Sequence, residues 1–205
     1  ASQFGLGRST GIEIGDSKGV LASPEYAEEI GETWTDGQTI TAAIGQSYNL
    51  FTPLQLANYI ATLVGGGQHY EAHLLKNVKS YDNSSVIYAY DKAPLNTVEM
   101  SGSTVQAVKE GMHNLTTGSL SYYFSNCVVS AGAKTGTAET GIANTNNGVF
   151  VCFAPYDDPQ IAVAVVIEKG GSGAALASTA VDIVNSYFSQ EEIGAVVIGE
   201  NTLLK

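Results

Sequence analysis

Ala131-Gly132-Ala133-Lys134-Thr135-Gly136-Thr137-Ala138-Glu139 is the stretch of sequence that decides the fold of this chain. Lys134 places a fixed positive charge where an anionic ligand, or negative charge that develops in a reaction, would sit. The hydroxyl group of Thr135 or Thr137 can bond a carboxylate. Gly136 has no side chain, so a peptide can lie against the strand edge and pair with it as an extra strand. The N–H of Thr137 can then point into an oxyanion hole, and these four residues form the candidate site.

A Lys-Thr-Gly triplet also occurs by chance, and the alternative interpretation is a polar strand end. Here the triplet closes a β-prone run, residues 128–137, and a Gly- and Asn-rich loop over residues 141–148 follows it. Residues 149–154 and 161–168 are two further predicted strands. The turn sequence between them, Tyr156-Asp157-Asp158-Pro159, predicts an antiparallel hairpin. Both strands are apolar at alternate and intervening positions, which is typical of strands covered on both faces.

Helices are predicted both before and after these strands along the chain. Thr52 is a good N-cap and Pro53 suits the first helical position, and this helix ends at Gly65-Gly66-Gly67. A second helix is predicted from about Ser101, a short Tyr-rich helix over residues 119–124, and a last helix over residues 174–188. Two short β-prone runs within residues 74–91 favour a hairpin.

The chain therefore divides into four segments. Residues 1–40 are predicted to be irregular, with a short helix around residues 26–30, and residues 41–126 to be mainly helical. Residues 127–190 are predicted to form the sheet and a C-terminal helix. Residues 191–205 form a tail, in which residues 195–198 are expected to add a strand or pack against one. The fold class is α+β, with an antiparallel sheet covered by helices.

Composition excludes several function classes. The chain has 205 residues, which suits one domain or a large part of one. Its formal net charge is −11 and no cluster of Lys and Arg interrupts the acidity, so nucleic acid and anionic membrane surfaces are not expected partners. No apolar stretch reaches the roughly 18 residues that a membrane-spanning helix needs.

The cysteines and histidines do not indicate a metal site. Cys127 and Cys152 lie in apolar runs at no metal-ligand spacing, so buried unpaired thiols are predicted, with a disulfide as the alternative. His69 and His73 are four residues apart, which suits a metal only on a helix. They follow three glycines, which predicts a loop or the start of a strand instead.

Several separate stretches together resemble the transpeptidase domain of class B penicillin-binding proteins. Residues 131–139 resemble the third motif of that family, which the Lys-Thr-Gly triplet marks. The resemblance continues in the family's order from about residue 4 to residue 188. The other stretches that carry this resemblance are Phe4-Gly5-Leu6-Gly7 with Thr10-Gly11-Ile12, Trp34-Thr35-Asp36-Gly37-Gln38-Thr39, Ala43-Ile44-Gly45-Gln46, Thr52-Pro53-Leu54-Gln55-Leu56-Ala57, Phe150 to Pro155 with Asp158-Pro159, and Gly170-Gly171-Ser172-Gly173.

The chain departs from the family pattern at three places. Ser47 and Ala133 stand where glycine is the commoner residue, and Gly65-Gly66-Gly67 replaces a common Asn-Gly-Gly. None of these changes removes a chemical group that the site needs.

The resemblance implies a fold, an activity and a set of partners. The fold is the penicillin-binding and serine β-lactamase-like transpeptidase fold, of which residues 1–205 are the C-terminal part. The intact protein is expected to be a serine D,D-transpeptidase that acts on the D-Ala-D-Ala end of peptidoglycan stem peptides and is acylated by β-lactams. Lys134 would supply charge and help proton movement, Thr135 and Thr137 would bind the substrate carboxylate, and no metal or organic cofactor is implied. The expected location is the extracytoplasmic face of the bacterial membrane, held by an anchor outside this chain.

The nucleophile of that family is not among these residues. No Ser-x-x-Lys occurs at any lysine of the chain. The resemblance implies that the acyl-accepting serine, its lysine and the second motif lie upstream of residue 1, in an N-terminal half that would pack against this one. Ser47-Tyr48-Asn49 matches Ser-x-Asn by letter, but its position in the family's order is wrong for the second motif.

Two other functions remain open from the sequence. The isolated chain is expected to be inactive, and it would then be an inert structural half or a scaffold that binds a partner. A related serine β-lactamase or carboxypeptidase is the third hypothesis. The stretches around Trp34 and Gln55 favour the class B transpeptidase over it.

Overall fold

The computed structural model describes residues 1–91, 93–142 and 145–194, with the side chains of residues 190–194 excepted. Its helices are α1 (Pro24–Glu29), α2 (Asp36–Ala43), α3 (Pro53–Val64), α4 (Gly102–Thr117), α5 (Ser121–Phe124) and α6 (Ala177–Gly194). Short 3₁₀ turns cover Ser2–Phe4 and Gly173–Leu176. The strands are β1 (Gln68–His69), β2 (Asn77–Lys79), β3 (Val86–Ala89), β4 (Asn96–Thr97), β5 (Gly132–Ala138), β6 (Asn147–Ala154) and β7 (Ile161–Ile167).

The central sheet is antiparallel and has the order β5-β6-β7. In its register Thr135 faces Phe150, which in turn faces Val165. The predicted hairpin between the second and third strands is confirmed as β6 and β7. Two small two-stranded sheets, β1 with β4 and β2 with β3, lie in the middle of the chain, and the second of these is the hairpin expected within residues 74–91.

Both faces of the central sheet are covered, as the apolar pattern predicted. On one face Ala133, Phe150 and Cys152 pack against Leu176 and α6 residues including Val184. On the other face Phe153 packs against Ile60, Leu63 and Met112, which belong to α3 and α4. The α+β fold with an antiparallel sheet between helices is therefore confirmed.

The first strand of this sheet begins four residues later than predicted. Residues 128–131 were expected in the strand, but β5 begins at Gly132. The preceding residues bond to helices instead: the Val128 N–H donates to Asn185 Oδ1 at 2.9 Å, and the Ala131 carbonyl accepts from Thr116 Oγ1 at 2.8 Å and His113 Nδ1 at 2.9 Å. Because these backbone groups are satisfied by helix side chains, they do not join the ladder.

The N-terminal segment contains more regular structure than expected. The helix anticipated around residues 26–30 is α1, but α2 was predicted as irregular up to residue 40. Helix α2 begins at a capping box, in which the Thr35 side chain accepts from the Gln38 N–H and the Gln38 side chain accepts from the Thr35 N–H. No residue of α2 is buried, so it has no apolar stripe for periodicity to detect.

Several other predictions are confirmed by the described residues. Helix α3 begins at Pro53 after the N-cap Thr52, and α4 begins after the N-cap Ser101. His69 lies in β1, where its Nδ1 is 3.0 Å from Asn96 Oδ1. Cys152 is fully buried, Cys127 is half-buried and both are free thiols; burial raises the pKa of Cys152 to about 12. The predicted tail strand, residues 195–198, lies outside the described residues, and none of the described helices is long and apolar enough to cross a bilayer.

Candidate active site

The four candidate residues lie on β5, and within the part of the chain that the structure describes this strand pairs with β6 on one side only. Lys134 faces Val151 and Gly136 faces Val149, so they share the sheet face that α3 and α4 cover. Thr135 faces Phe150 and Thr137 faces Gly148, which puts both threonines on the α6 side. The motif therefore presents its lysine and its two hydroxyls to opposite faces of one edge strand.

Two side-chain nitrogens contact the outer edge of this strand. Lys134 Nζ donates to the Thr135 carbonyl at 2.5 Å, and Gln46 Nε2 donates to the Thr137 carbonyl at 3.2 Å. Backbone groups of an antiparallel strand alternate between its two sides, so the N–H groups of Thr135 and Thr137 point to this same outer edge. The edge thus offers the backbone donors and acceptors that an added strand would need.

Glycines let the structure close tightly around the motif. A Cβ on Gly173 would lie 2.2 Å from the Val149 carbonyl oxygen and 2.3 Å from that of Gly136. Gly173 therefore packs directly over the Gly136–Val149 backbone pair, on the face opposite the Val149 side chain. A Cβ on Gly136 would lie 3.3 Å from Val149 Cβ, so a methyl there would be tight and would reach toward the α3 and α4 face.

Replacing Gly173 by Ala is expected to destabilise the fold by about 1–3 kcal/mol, because the new methyl group meets backbone that cannot rotate away. Denaturant unfolding of the full-length protein measures this loss. Gly111→Ala is the control: this glycine lies inside α4 with open space around it, so alanine is expected to be neutral or to stabilise by up to about 1 kcal/mol. Equal stability of the Gly173→Ala variant and the parent would contradict the packing described.

Helix α4 holds the beginning of β5. The Ala131 carbonyl accepts from both Thr116 and His113, and the His113 ring stacks on Tyr156 with centroids 4.3 Å apart. The Tyr156 N–H donates to the Ser130 carbonyl at 2.9 Å. The strand is therefore fixed at its start by α4 and at its end by Gln46.

Asn49 is used to hold its own loop. Its Oδ1 accepts from the Ala22 N–H at 2.9 Å, and its Nδ2 donates to the carbonyls of Ala42 and Gln46, both at 3.1 Å. Ser47 is exposed and has a left-handed backbone, with φ of 64°. The Asn49 amide already bonds to backbone groups, so the segment Ser47-Tyr48-Asn49 stabilises its own loop. That this segment is not the second motif stays a prediction.

Gln55 joins the N-terminal segment to α3. It is 1% exposed, and its Nε2 donates to the carbonyls of Arg8 at 2.7 Å and Lys18 at 2.8 Å. Its Oε1 accepts from the Thr52 N–H at 2.8 Å, which completes a capping box at the start of α3. One buried amide thus satisfies three backbone groups, two in the N-terminal segment and one at the N-cap of α3.

A sequence profile described as the penicillin binding protein transpeptidase domain matches residues 1–187. The chain belongs to this family. The match includes the whole Lys-Thr-Gly strand as well as Gln46 and Gln55. The Lys-Thr-Gly motif therefore lies inside a penicillin-binding protein transpeptidase domain.

Individual relatives agree with this assignment. Penicillin-binding protein 2A of Bacillus subtilis is 31% identical over all of this chain and 28% of its own length. The peptidoglycan D,D-transpeptidase MrdA of Salmonella typhimurium is 28% identical over 83% of this chain and 30% of its own. The solved structure of penicillin-binding protein 2B from Streptococcus pneumoniae superposes with a TM-score of 0.76 at 28% identity, over 92% of this chain and 31% of that one.

The transpeptidase-family chain thus spans less than a third of the length of these relatives. The sequence predicts the Lys-Thr-Gly strand but not the approach of Gln46 to it. The two residues that form that contact are 91 positions apart, so no local spacing could have predicted it.

Proposed function

We propose that the protein containing this chain is a serine D,D-transpeptidase that cross-links peptidoglycan at the extracytoplasmic face of the bacterial membrane. The observation that carries this proposal is the Lys134-Thr135-Gly136-Thr137 motif on an accessible edge strand of a transpeptidase-family fold. The edge suits a substrate that binds as an extended peptide, which describes the stem peptide of peptidoglycan.

In the proposed reaction, a serine outside these 205 residues attacks the carbonyl carbon of the penultimate D-Ala. The peptide bond to the terminal D-Ala breaks, that residue leaves as the free amino acid, and the stem peptide becomes an ester of the serine. An amine of a second stem peptide then displaces the serine oxygen and forms the cross-link, and the serine recovers its proton.

The residues of β5 have separate roles in this scheme. Lys134 supplies positive charge beside the reacting groups and helps proton movement. The hydroxyls of Thr135 and Thr137 bind the carboxylate of the terminal D-Ala. The Thr137 N–H, at the outer edge of the strand, donates to the oxyanion that forms on the attacked carbonyl. Gly136 leaves room for the substrate backbone against the strand.

Labelling with a fluorescent penicillin tests the proposal. The full-length protein is expected to carry a covalent label on a denaturing gel, and the isolated 205-residue chain is expected to carry none, since no Ser-x-x-Lys occurs in it. Boiled protein and protein treated first with unlabelled penicillin are the controls. Absence of label on the full-length protein would leave a scaffold role, and label on the isolated chain would reopen the assignment of Ser47. Rapid release of the label would favour a β-lactamase.

A further inference from the structure

The contact between Gln46 and the end of β5 connects the helical region to the candidate oxyanion donor. Gln46 Nε2 donates to the carbonyl of Thr137, the residue whose own N–H is proposed to bind the oxyanion. Among the described residues, one further pair beyond Thr137, Ala138 with Asn147, belongs to the ladder between β5 and β6. The Gln46 side chain therefore bonds to β5 close to the end of its pairing with β6.

The backbone of Gln46 is held from several directions. Its N–H donates to the Thr41 carbonyl at 3.0 Å, and its own carbonyl accepts from Asn49 Nδ2 at 3.1 Å. The residues on either side, Gly45 and Ser47, have left-handed φ values of 85° and 64°. Left-handed backbone at a non-glycine residue persists only where its surroundings hold it, so this loop is a fixed support for the Gln46 side chain.

Aromatic packing fixes the same loop from outside. The Tyr48 ring lies 5.8 Å from that of Tyr26 and 6.4 Å from that of Trp34, and its hydroxyl accepts from Gln38 Nε2 at 2.7 Å. These contacts tie the loop to α1 and α2. The loop that carries Gln46 is thus anchored to two helices, and this anchoring fixes the position of the Gln46 amide beside β5.

We propose that Gln46 is a positioning residue for acylation: its amide N–H holds the Thr137 carbonyl and so keeps the Thr137 N–H in place for the oxyanion. This inference rests on the proposed function and adds a residue to it. Gln46 acts through Thr137 and does not itself touch the reacting atoms. Loss of a positioned donor of this kind is expected to slow acylation about tenfold, which corresponds to one hydrogen bond.

Two replacements of similar size separate hydrogen-bond donation from shape. Gln46→Met keeps the length of the side chain and removes the donor. Gln46→Glu also removes it at neutral pH, but a protonated carboxylic acid is again a donor. In the full-length protein, the rate of labelling by fluorescent penicillin is measured for both variants between about pH 4.5 and pH 8, a range whose lower end is close to the usual glutamic acid pKa of about 4.3.

The expected result is that both variants label about tenfold more slowly than the parent at pH 7.5, with unchanged melting temperature. The rate for Gln46→Glu divided by that for Gln46→Met is expected to rise as the pH falls, because only the glutamic acid regains a donor. Gln106→Met is the control: it removes an exposed amide that donates to the Tyr156 hydroxyl, at 3.1 Å, and should label at the parent rate.

Three results would overturn the proposal. One is parent-like labelling by Gln46→Met, and another is a ratio between the two variants that stays flat with pH. The third is slow labelling that is explained entirely by loss of folded protein. Normal labelling of the parent in the same experiment shows that such a failure concerns Gln46 alone, whereas an unlabelled parent would mean that the proposed function itself is wrong.

Discussion

Replacing Lys134 by Ala in the full-length protein is expected to slow acylation by penicillin by about 100-fold or more, because a preorganised charge beside the developing oxyanion is removed. The fold should tolerate the change. Lys134 is exposed, and its ammonium group contacts only the Thr135 carbonyl among the residues that the structure describes. Surface substitutions of this kind usually change the free energy of unfolding by less than about 0.5 kcal/mol.

The measurement is the second-order rate constant for labelling by fluorescent penicillin, with the melting temperature recorded for each variant. Lys134→Arg is expected to recover only part of the rate, because guanidinium retains the charge but does not exchange a proton near neutral pH. Lys79→Ala is the matched control, since Lys79 is also an exposed lysine on a strand, β2, of a separate sheet. An Ala variant that labels at the parent rate would contradict the role assigned to Lys134.

Replacing Gln55 by Glu is expected to destabilise the fold by about 3 kcal/mol or more at neutral pH. The amide nitrogen that donates to Arg8 and Lys18 would become a carboxylate oxygen facing two carbonyl oxygens. Each buried acceptor left without its donor costs about 1–3 kcal/mol, and the buried charge adds to that cost. The effect is large because Gln55 is almost fully buried.

The destabilisation by Gln55→Glu should depend on pH. Burial beside carbonyl oxygens raises the pKa of the new carboxyl group in the folded state above its unfolded value of about 4.3. The folded state then binds more protons than the unfolded state, so stability falls as the pH rises through this range. Unfolding by denaturant at about pH 5 and about pH 7.5 checks both the size and the sign.

Gln38→Glu is the control for this prediction. Gln38 occupies the same position in the capping box of α2, but it is half-buried and its amide nitrogen donates to the Tyr48 hydroxyl rather than to backbone. A carboxylate in the first turn of a helix interacts favourably with the helix dipole. Gln38→Glu should therefore lower the free energy of unfolding by less than about 1 kcal/mol. Equal losses of stability at Gln38 and Gln55 would contradict the argument that burial makes the Gln55 replacement costly.

Local signals in the sequence predicted most elements of this fold. Thr52 and Pro53 marked the start of α3 because a side-chain cap and a missing N–H are features of one helical turn. Strands β6 and β7 followed from two apolar runs and the turn between them. Helix α2 was not predicted because none of its residues is buried. Its N-cap Thr35 and Gln38, three residues later, nevertheless match the sequence pattern of a capping box.

The amino-acid sequence by itself determined the α+β class, the sheet with helices on both faces, and the Lys-Thr-Gly strand, since each depends on residues close together in the chain. The tertiary structure alone decided how the site is held. Gln46 reaches Thr137, Gly173 packs over Gly136, and Ala131 turns to α4 instead of extending the strand. These contacts join distant segments, and a hydrogen bond or close approach between them depends on coordinates that no local pattern contains.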